Sequence, residues 1–174
     1  MQEIRIHGRG GQGAVTCAIL MAKAAGKDDK YTQAFGAYGP ERRGAPVKAF
    51  CRIDEKPVII RSQVKNPDYV IVLDSSLLEL PEVFEGIKPE TKILINSEKV
   101  NLGVSNESYF LDASALALKL IGREIVNTAM LGMFSKISNI VSLEAVSKSI
   151  EENFPQKLAE SNKKLVEEAF NATR

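Results

Sequence analysis

Hydrophobic and polar residues alternate from Glu3 to His7, which places Ile4 and Ile6 on one face, and the alternation stops at a glycine cluster. A period of two predicts a first strand here. From Ala14 to Ala25 the pattern becomes helical and rich in Ala, Leu and Met. Val15, Ile19, Leu20 and Ala24 fall on one stripe of that helix, and Gly26 stands where it should close. Tyr31–Phe35 reads as a short second strand, and Gly36–Pro46, with glycines and prolines around a charged centre, as a loop. Val47–Ile53 and Pro57–Arg61 flank the polar Asp54-Glu55-Lys56 and predict a β-hairpin.

Tyr69–Leu73 is a continuous apolar run ending in Asp74-Ser75-Ser76, the signature of a strand buried on both faces. A short helix over Leu77–Phe84 follows, then a buried strand over Lys92–Ile95 that ends at Asn96-Ser97. Tyr109–Leu111 is a further short strand, and Asp112 is placed to cap a helix over Ala113–Ile121. The remainder is helical: Thr128–Ile137, Leu143–Asn153 and Gln156–Ala172, with Pro155 at the start of the last. Strands alternating with helices argue for one α/β domain over residues 1–174. The expected architecture is a mostly parallel sheet with helices on both faces, an inserted β-hairpin and a helical C-terminal part.

Composition narrows the function more by exclusion than by indication. The 174 residues are 44% hydrophobic and 26% charged, with a net charge of +1, so no global basic field exists to recruit nucleic acid or an anionic membrane. No apolar run approaches the roughly 18–20 residues of a membrane span, and Met1-Gln2-Glu3 does not open a signal peptide. The expected location is the cytoplasm. Cys17 and Cys51 stand far apart and outside any C-x-x-C pair, and His7 is the single histidine. That inventory excludes a four-cysteine iron–sulfur cluster built from this chain alone and argues against structural zinc. The two thiols are expected to be small buried apolar groups.

Gly8, Gly10 and Gly13 satisfy G-x-G-x-x-G between a predicted strand and a predicted helix. Glycine permits a sharp turn and the approach of a phosphate to amides at a helix N-terminus. A dinucleotide fold also needs a carboxylate about 20 residues beyond the loop, at the end of the second strand. Here that strand ends in Phe35-Gly36-Ala37, so the NAD requirement is unmet. An NADP reading keeps Arg42 and Arg43 for a 2′-phosphate, yet Arg9 and Gln12 stand where pyrophosphate needs unobstructed approach. The plainer reading is a turn that packs helix against strand.

Arg42 and Arg43 lie in a rigid frame, Gly39-Pro40-Glu41-Arg42-Arg43-Gly44-Ala45-Pro46, that suits either a planar-donor anion site or solvated and interface charges. Asp74 and Asn96, at the carboxyl ends of predicted strands, are either ligand contacts or helix caps. No Ser/His/Asp set, G-x-S-x-G, P-loop or H-E-x-x-H is present.

His7-Gly8-Arg9-Gly10-Gly11-Gln12-Gly13-Ala14-Val15-Thr16, then Tyr38-Gly39-Pro40-Glu41-Arg42-Arg43-Gly44-Ala45-Pro46-Val47 and Ala49-Phe50-Cys51-Arg52-Ile53, resemble the gamma subunit of pyruvate and related 2-oxoacid:ferredoxin oxidoreductases. Asn127-Thr128-Ala129-Met130-Leu131-Gly132 and Val141-Ser142-Leu143-Glu144 are similar to that family's C-terminal helical part. The resemblance implies a non-redox subunit of a complex that makes acyl-CoA, carbon dioxide and reduced ferredoxin from a 2-oxoacid and coenzyme A. It implies alpha, beta and delta partners, as separate or fused chains, that hold thiamine diphosphate, Mg²⁺ and [4Fe–4S] clusters. This chain, without a G-D-G…N motif or a cysteine set, would hold none of them. The forms of the two loops lean towards pyruvate. The resemblance also implies that Gly8, Arg9, Gly10, Gly11, Gln12 and Gly13, with Arg42 and Arg43, contact either coenzyme A phosphates or partner subunits.

Overall fold

The computed structural model describes residues 1–37 and 44–174. Strand β1 (Gln2–Arg9) leads through the glycine loop into α1 (Ala14–Lys27), followed by β2 (Tyr31–Gly36) and β3 (Pro46–Asp54). Then come β4 (Tyr69–Val72), β5 (Lys92–Asn96) and β6 (Ser108–Leu111). Four helices complete the order: α2 (Ala113–Ile121), α3 (Asn127–Ser138), α4 (Leu143–Asn153) and α5 (Gln156–Ala172).

All six strands join one sheet in the order β2-β3-β1-β4-β5-β6. Strands β1, β4, β5 and β6 pair in parallel, while β3 runs antiparallel to both β1 and β2. The mostly parallel α/β architecture expected from the sequence is thus present. Its antiparallel element is the single strand β3, set between β2 and β1, and not a hairpin after β3. Pro57–Arg61 forms no strand. Both edges of β3 are already taken, so no row of backbone donors and acceptors is left for another arm.

The two faces of the sheet are covered differently. Ile4, Ile6, Ala49, Cys51, Ile71 and Leu94 point to one face and join residues of every α-helix in a single buried core. Val70, Val72, Ile93 and Ile95 point to the other, where Leu77 and Val83 cover them. These last two sit in 3₁₀ turns at Ser75–Glu79 and Pro81–Val83, which stand where one helix over Leu77–Phe84 was expected. Pro81 interrupts the helical ladder because it has no N–H to donate, so the segment breaks into two short turns. Helices therefore lie on both faces only in this limited sense.

Helix α1 packs through small residues. Ala14, Cys17, Ala18, Met21, Ala24 and Ala25 are buried, whereas Ile19 is 40% exposed and outside the stripe on which hydrophobicity alone had placed it. Small side chains let the helix approach the sheet closely, and that contact sets its rotation. The helix also runs past Gly26 to Lys27, and the left-handed turn falls on Asp29 at φ 59°. Asp112 caps α2 as expected, accepting from Ala115 N at 2.8 Å. Pro155 precedes α5 in its expected place.

Candidate functional site

The glycine loop connects β1 to α1, and most of its described donors are occupied by its own chain. Arg9 N donates to Gln12 Oε1 at 2.7 Å, Gly10 N to Ala45 O at 2.8 Å and Gln12 N to Arg9 O at 2.9 Å. Gly44 N closes the other side on Gly10 O at 3.1 Å, so the glycine loop is stitched to the two residues that precede β3. Gly11 and Gly13 have φ of 97° and 79°, a region that disfavours any side chain. Gly8 has the packing role: a Cβ there would meet Leu73 Cδ1 at 3.2 Å and Ala14 Cβ at 3.3 Å.

Arg9 does not present a free guanidinium. Its Nη2 donates to Ser76 Oγ at 2.6 Å and Nη1 to Gly44 O at 3.1 Å, and its Nε lies 3.3 Å from Asp74 Oδ2. Asp74 also accepts from Gln12 Nε2 at 2.8 Å and from Ser76 N at 3.0 Å. Partial burial pushes the Asp74 carboxyl up, but the Ser76 and Gln12 hydrogen bonds and the Arg9 charge outweigh it and hold it below the usual carboxylate range. Of the two roles left open for Asp74, the cap is present, since its side chain accepts from Ser76 N, and the same carboxylate also latches the glycine loop.

Helix α1 begins at Gly13 without a side-chain cap, so its first-turn amides remain the part of the loop suited to a negative group. The α3 end closes over that point from behind. Asn127, 4% exposed, reaches Gly13 O through Nδ2 at 3.5 Å, and Cys17 Sγ donates to Asn127 O at 3.4 Å. Both cysteines are free and fully buried, as expected for packing groups. Burial alone pushes the Cys17 thiol up to about 12.

Beside the loop, at the carboxyl ends of the parallel strands, lies a crevice of about 410 Å³ whose lining includes Gln12, Asp74, Asn96, Asp112, Ser114 and Glu124. Open α/β sheets bind ligands at such edges. Among the described residues its lining carries carboxylates and no lysine or arginine, a charge pattern unfavourable to phosphate. Asn96 lies in it mainly as a cap: its Oδ1 accepts from Ser114 N at 3.2 Å, and its Nδ2 donates to Leu73 O at 2.9 Å. Together with Gln12 plugging the loop, this charge pattern does not build a pyrophosphate cradle, and the dinucleotide alternative gains nothing from the geometry.

Of the residues singled out in the sequence, Gly8 and Arg9 end β1 and Gly10 to Gly13 form the loop that follows, with Arg9 and Gln12 held against Asp74. Arg42 and Arg43 lie outside the described residues. Ser76 and Ala45 escaped sequence reasoning, since nothing local marks a hydroxyl or a carbonyl as partner to a loop far away in the chain. Asn127 carried a signal only through its motif. Among the described residues no group of His, Cys, Asp or Glu able to hold a metal occurs, and no helix is long and apolar enough to cross a membrane.

Comparison with known proteins agrees along the whole chain. A family model described as pyruvate ferredoxin/flavodoxin oxidoreductase matches residues 3–172. The pyruvate synthase subunit PorC of Methanocaldococcus jannaschii is 52% identical, the match covering 98% of this chain and 96% of that protein. The pyruvate/ketoisovalerate oxidoreductases common subunit gamma of Thermococcus kodakarensis is 48% identical, covering 99% and 97%. The crystal structure of the pyruvate oxidoreductase subunit PORC of Thermotoga maritima superposes with a TM-score of 0.88 at 38% identity, covering 99% and 97%.

Proposed function

The chain belongs to the pyruvate ferredoxin/flavodoxin oxidoreductase family, and from that membership we propose that it serves as the gamma subunit of a multi-subunit 2-oxoacid:ferredoxin oxidoreductase. The enzyme converts a 2-oxoacid, most directly pyruvate, and coenzyme A into acyl-CoA, carbon dioxide and reduced ferredoxin. One observation carries this reading: relatives named as such subunits match at about half identity from end to end, 98% of this chain against 96% of the M. jannaschii protein. The gamma unit occupies residues 1–174 as one domain. Its alpha, beta and delta partners supply thiamine diphosphate, Mg²⁺ and [4Fe–4S] clusters, and the complex works in the cytoplasm with ferredoxin.

The chain's own contribution is assembly and presentation, not redox chemistry. Its two cysteines are both buried and too few for a cluster. The T. kodakarensis relative is named as common to pyruvate and ketoisovalerate enzymes, which supports choice of oxoacid by other subunits. For coenzyme A, the finer reading divides the sequence candidates. Gly8, Gly10, Gly11, Gln12 and Gly13 shape the loop, Arg9 is tied to Asp74 and Ser76, and Arg42 with Arg43 supply the contact to coenzyme A phosphates.

The subunit reading is tested by anaerobic purification of the tagged chain from its host. Co-purification of thiamine- and cluster-containing subunits with 2-oxoacid oxidation is the expected result, and recovery of the chain alone with NADP bound contradicts it. Coenzyme A affinity of the assembled complex with Arg42→Ala and Arg43→Ala tests the contact. A weakening of about tenfold per arginine is expected for a lost phosphate bond, and unchanged affinity with failed assembly assigns both arginines to the interface.

A further inference from the structure

After β3 the chain leaves the sheet and crosses its far side as an irregular segment before re-entering at β4. This segment is held firmly. Arg52, 1% exposed, donates to Ile60 O at 3.4 Å and to Glu3 Oε1 at 2.8 Å. Val64 is buried, and Arg5 Nη1 donates to Lys65 O at 3.4 Å. Yet Ile59 is 88% exposed and Ile60 45% exposed. Single exposed apolar residues are ordinary. Two consecutive isoleucines on a tethered segment are different, because tethering costs chain entropy and here directs them outward rather than into the core.

Farther along the same segment lies a pocket of about 390 Å³ lined by Arg5, Lys48, Phe50, Lys65, Asn66 and Glu85 among others. It carries three cationic side chains against one carboxylate. Arg5 is 3% exposed and its guanidinium is fully engaged: Nη2 donates to Val83 O at 3.0 Å and Glu85 O at 2.6 Å, and Nε to His7 Nε2 at 3.0 Å. It sets the potential of the pocket floor without offering a donor. Lys48 and Lys65 are the groups able to reach an incoming acid. One segment thus carries an apolar prong at Ile59–Ile60 and, farther along at Lys65, the edge of a basic recess, and the complement of the two is an apolar patch followed by a carboxylate.

We propose that the Ile59–Ile60 prong and the basic recess of Lys48 and Lys65 form a docking surface for a catalytic subunit of the same oxidoreductase, which inserts an aspartate or glutamate beside an apolar patch. The inference rests on the gamma-subunit reading. It assigns this contact to the far side of the sheet, away from the helices and on a segment that the family motifs do not include.

The test uses the complex assembled from the full-length chain and its co-expressed partners. Ile59→Glu and Lys65→Glu alter exposed side chains, so the isolated chain should keep its melting temperature. Each should lower the amount of chain retained in the purified complex by about tenfold, the effect of losing an interface anchor. Leu118→Glu, at a 55% exposed residue on α2, should leave retention unchanged. A carbodiimide cross-link from Lys65 to a carboxylate of a catalytic subunit would support the assignment directly. Retention of both variants at the wild-type level overturns the surface while leaving the subunit reading intact. So does equal loss with Leu118→Glu, or a Lys65 cross-link found only between two copies of this chain. A wild-type chain that recovers no partner overturns both.

Discussion

Gln12 Nε2 donates to Asp74 Oδ2 at 2.8 Å, joining the glycine loop after β1 to the turn just beyond β4. The other end of the same amide accepts Arg9 N at 2.7 Å, and Arg9 completes the ring through its 3.3 Å approach to Asp74. The loop is thus shaped by its own chain and needs no ligand to hold it. That is the behaviour required of a subunit that presents a preformed surface to its partners.

Asp74→Ala removes this latch and the cap on the following turn. It should lower unfolding free energy by about 1–3 kcal/mol at neutral pH, the range for charge-assisted hydrogen bonds at a partly exposed site. Because the folded carboxyl lies below its usual range, its contribution is present above the unfolded value of about 3.9 and is lost as pH falls through the folded value. Urea titrations of both proteins should therefore converge in acid. A gap that persists unchanged into strong acid would show that Asp74 acts without its charge.

Gly13→Ala places a Cβ 2.5 Å from Asn127 Nδ2 and forces φ of 79° on a residue with a side chain. About 2–3 kcal/mol should be lost, combining left-handed strain with a clash. Gly11→Ala, at φ 97° with nothing within 4 Å, should cost only the strain. A double-mutant cycle with Asn127→Ala separates the two contributions: removing Asn127 first should make Gly13→Ala cheaper, and strict additivity would contradict the contact.

At Gly132 two effects oppose each other. Alanine improves helix propensity by about 1 kcal/mol, but its Cβ would stand 2.4 Å from Val166 O. The obstacle is backbone of α5, which cannot rotate away, so α3 and α5 must separate. Packing should win, with a net loss of about 2 kcal/mol or more. A rise in the thermal midpoint of Gly132→Ala would refute that ordering.

Both thiols should resist alkylation in the native protein. Cys17 and Cys51 are 0% exposed, and burial raises each thiol above its usual range. Iodoacetamide should label neither cysteine in native buffer and both in denaturant. Fast native labelling of either would mean that α1 lifts from the sheet readily.

The sequence alone determined what neighbouring residues decide among themselves. The alternation at Ile4 and Ile6, the apolar run Val70-Ile71-Val72, the cap at Asp112 and Pro155 before α5 each specify an element through contacts a few residues apart. The glycine loop and its place between strand and helix were equally legible, because only glycine tolerates the backbone angles found at Gly11 and Gly13. Tertiary structure decided the rest. Pro57–Arg61 has strand-forming residues but meets a sheet whose neighbouring edges are filled, and Ile19 is apolar but lies off the small-residue face that lets α1 close on the sheet. The occupancy of the loop's donors depends on Asp74, Ser76 and Asn127, which reach it only when β4 and α3 pack beside it. Such partners lie 62 to 114 residues away along the chain. Which of many chemically equal partners is chosen at that range is settled by packing, since no local rule distinguishes one serine or asparagine from another.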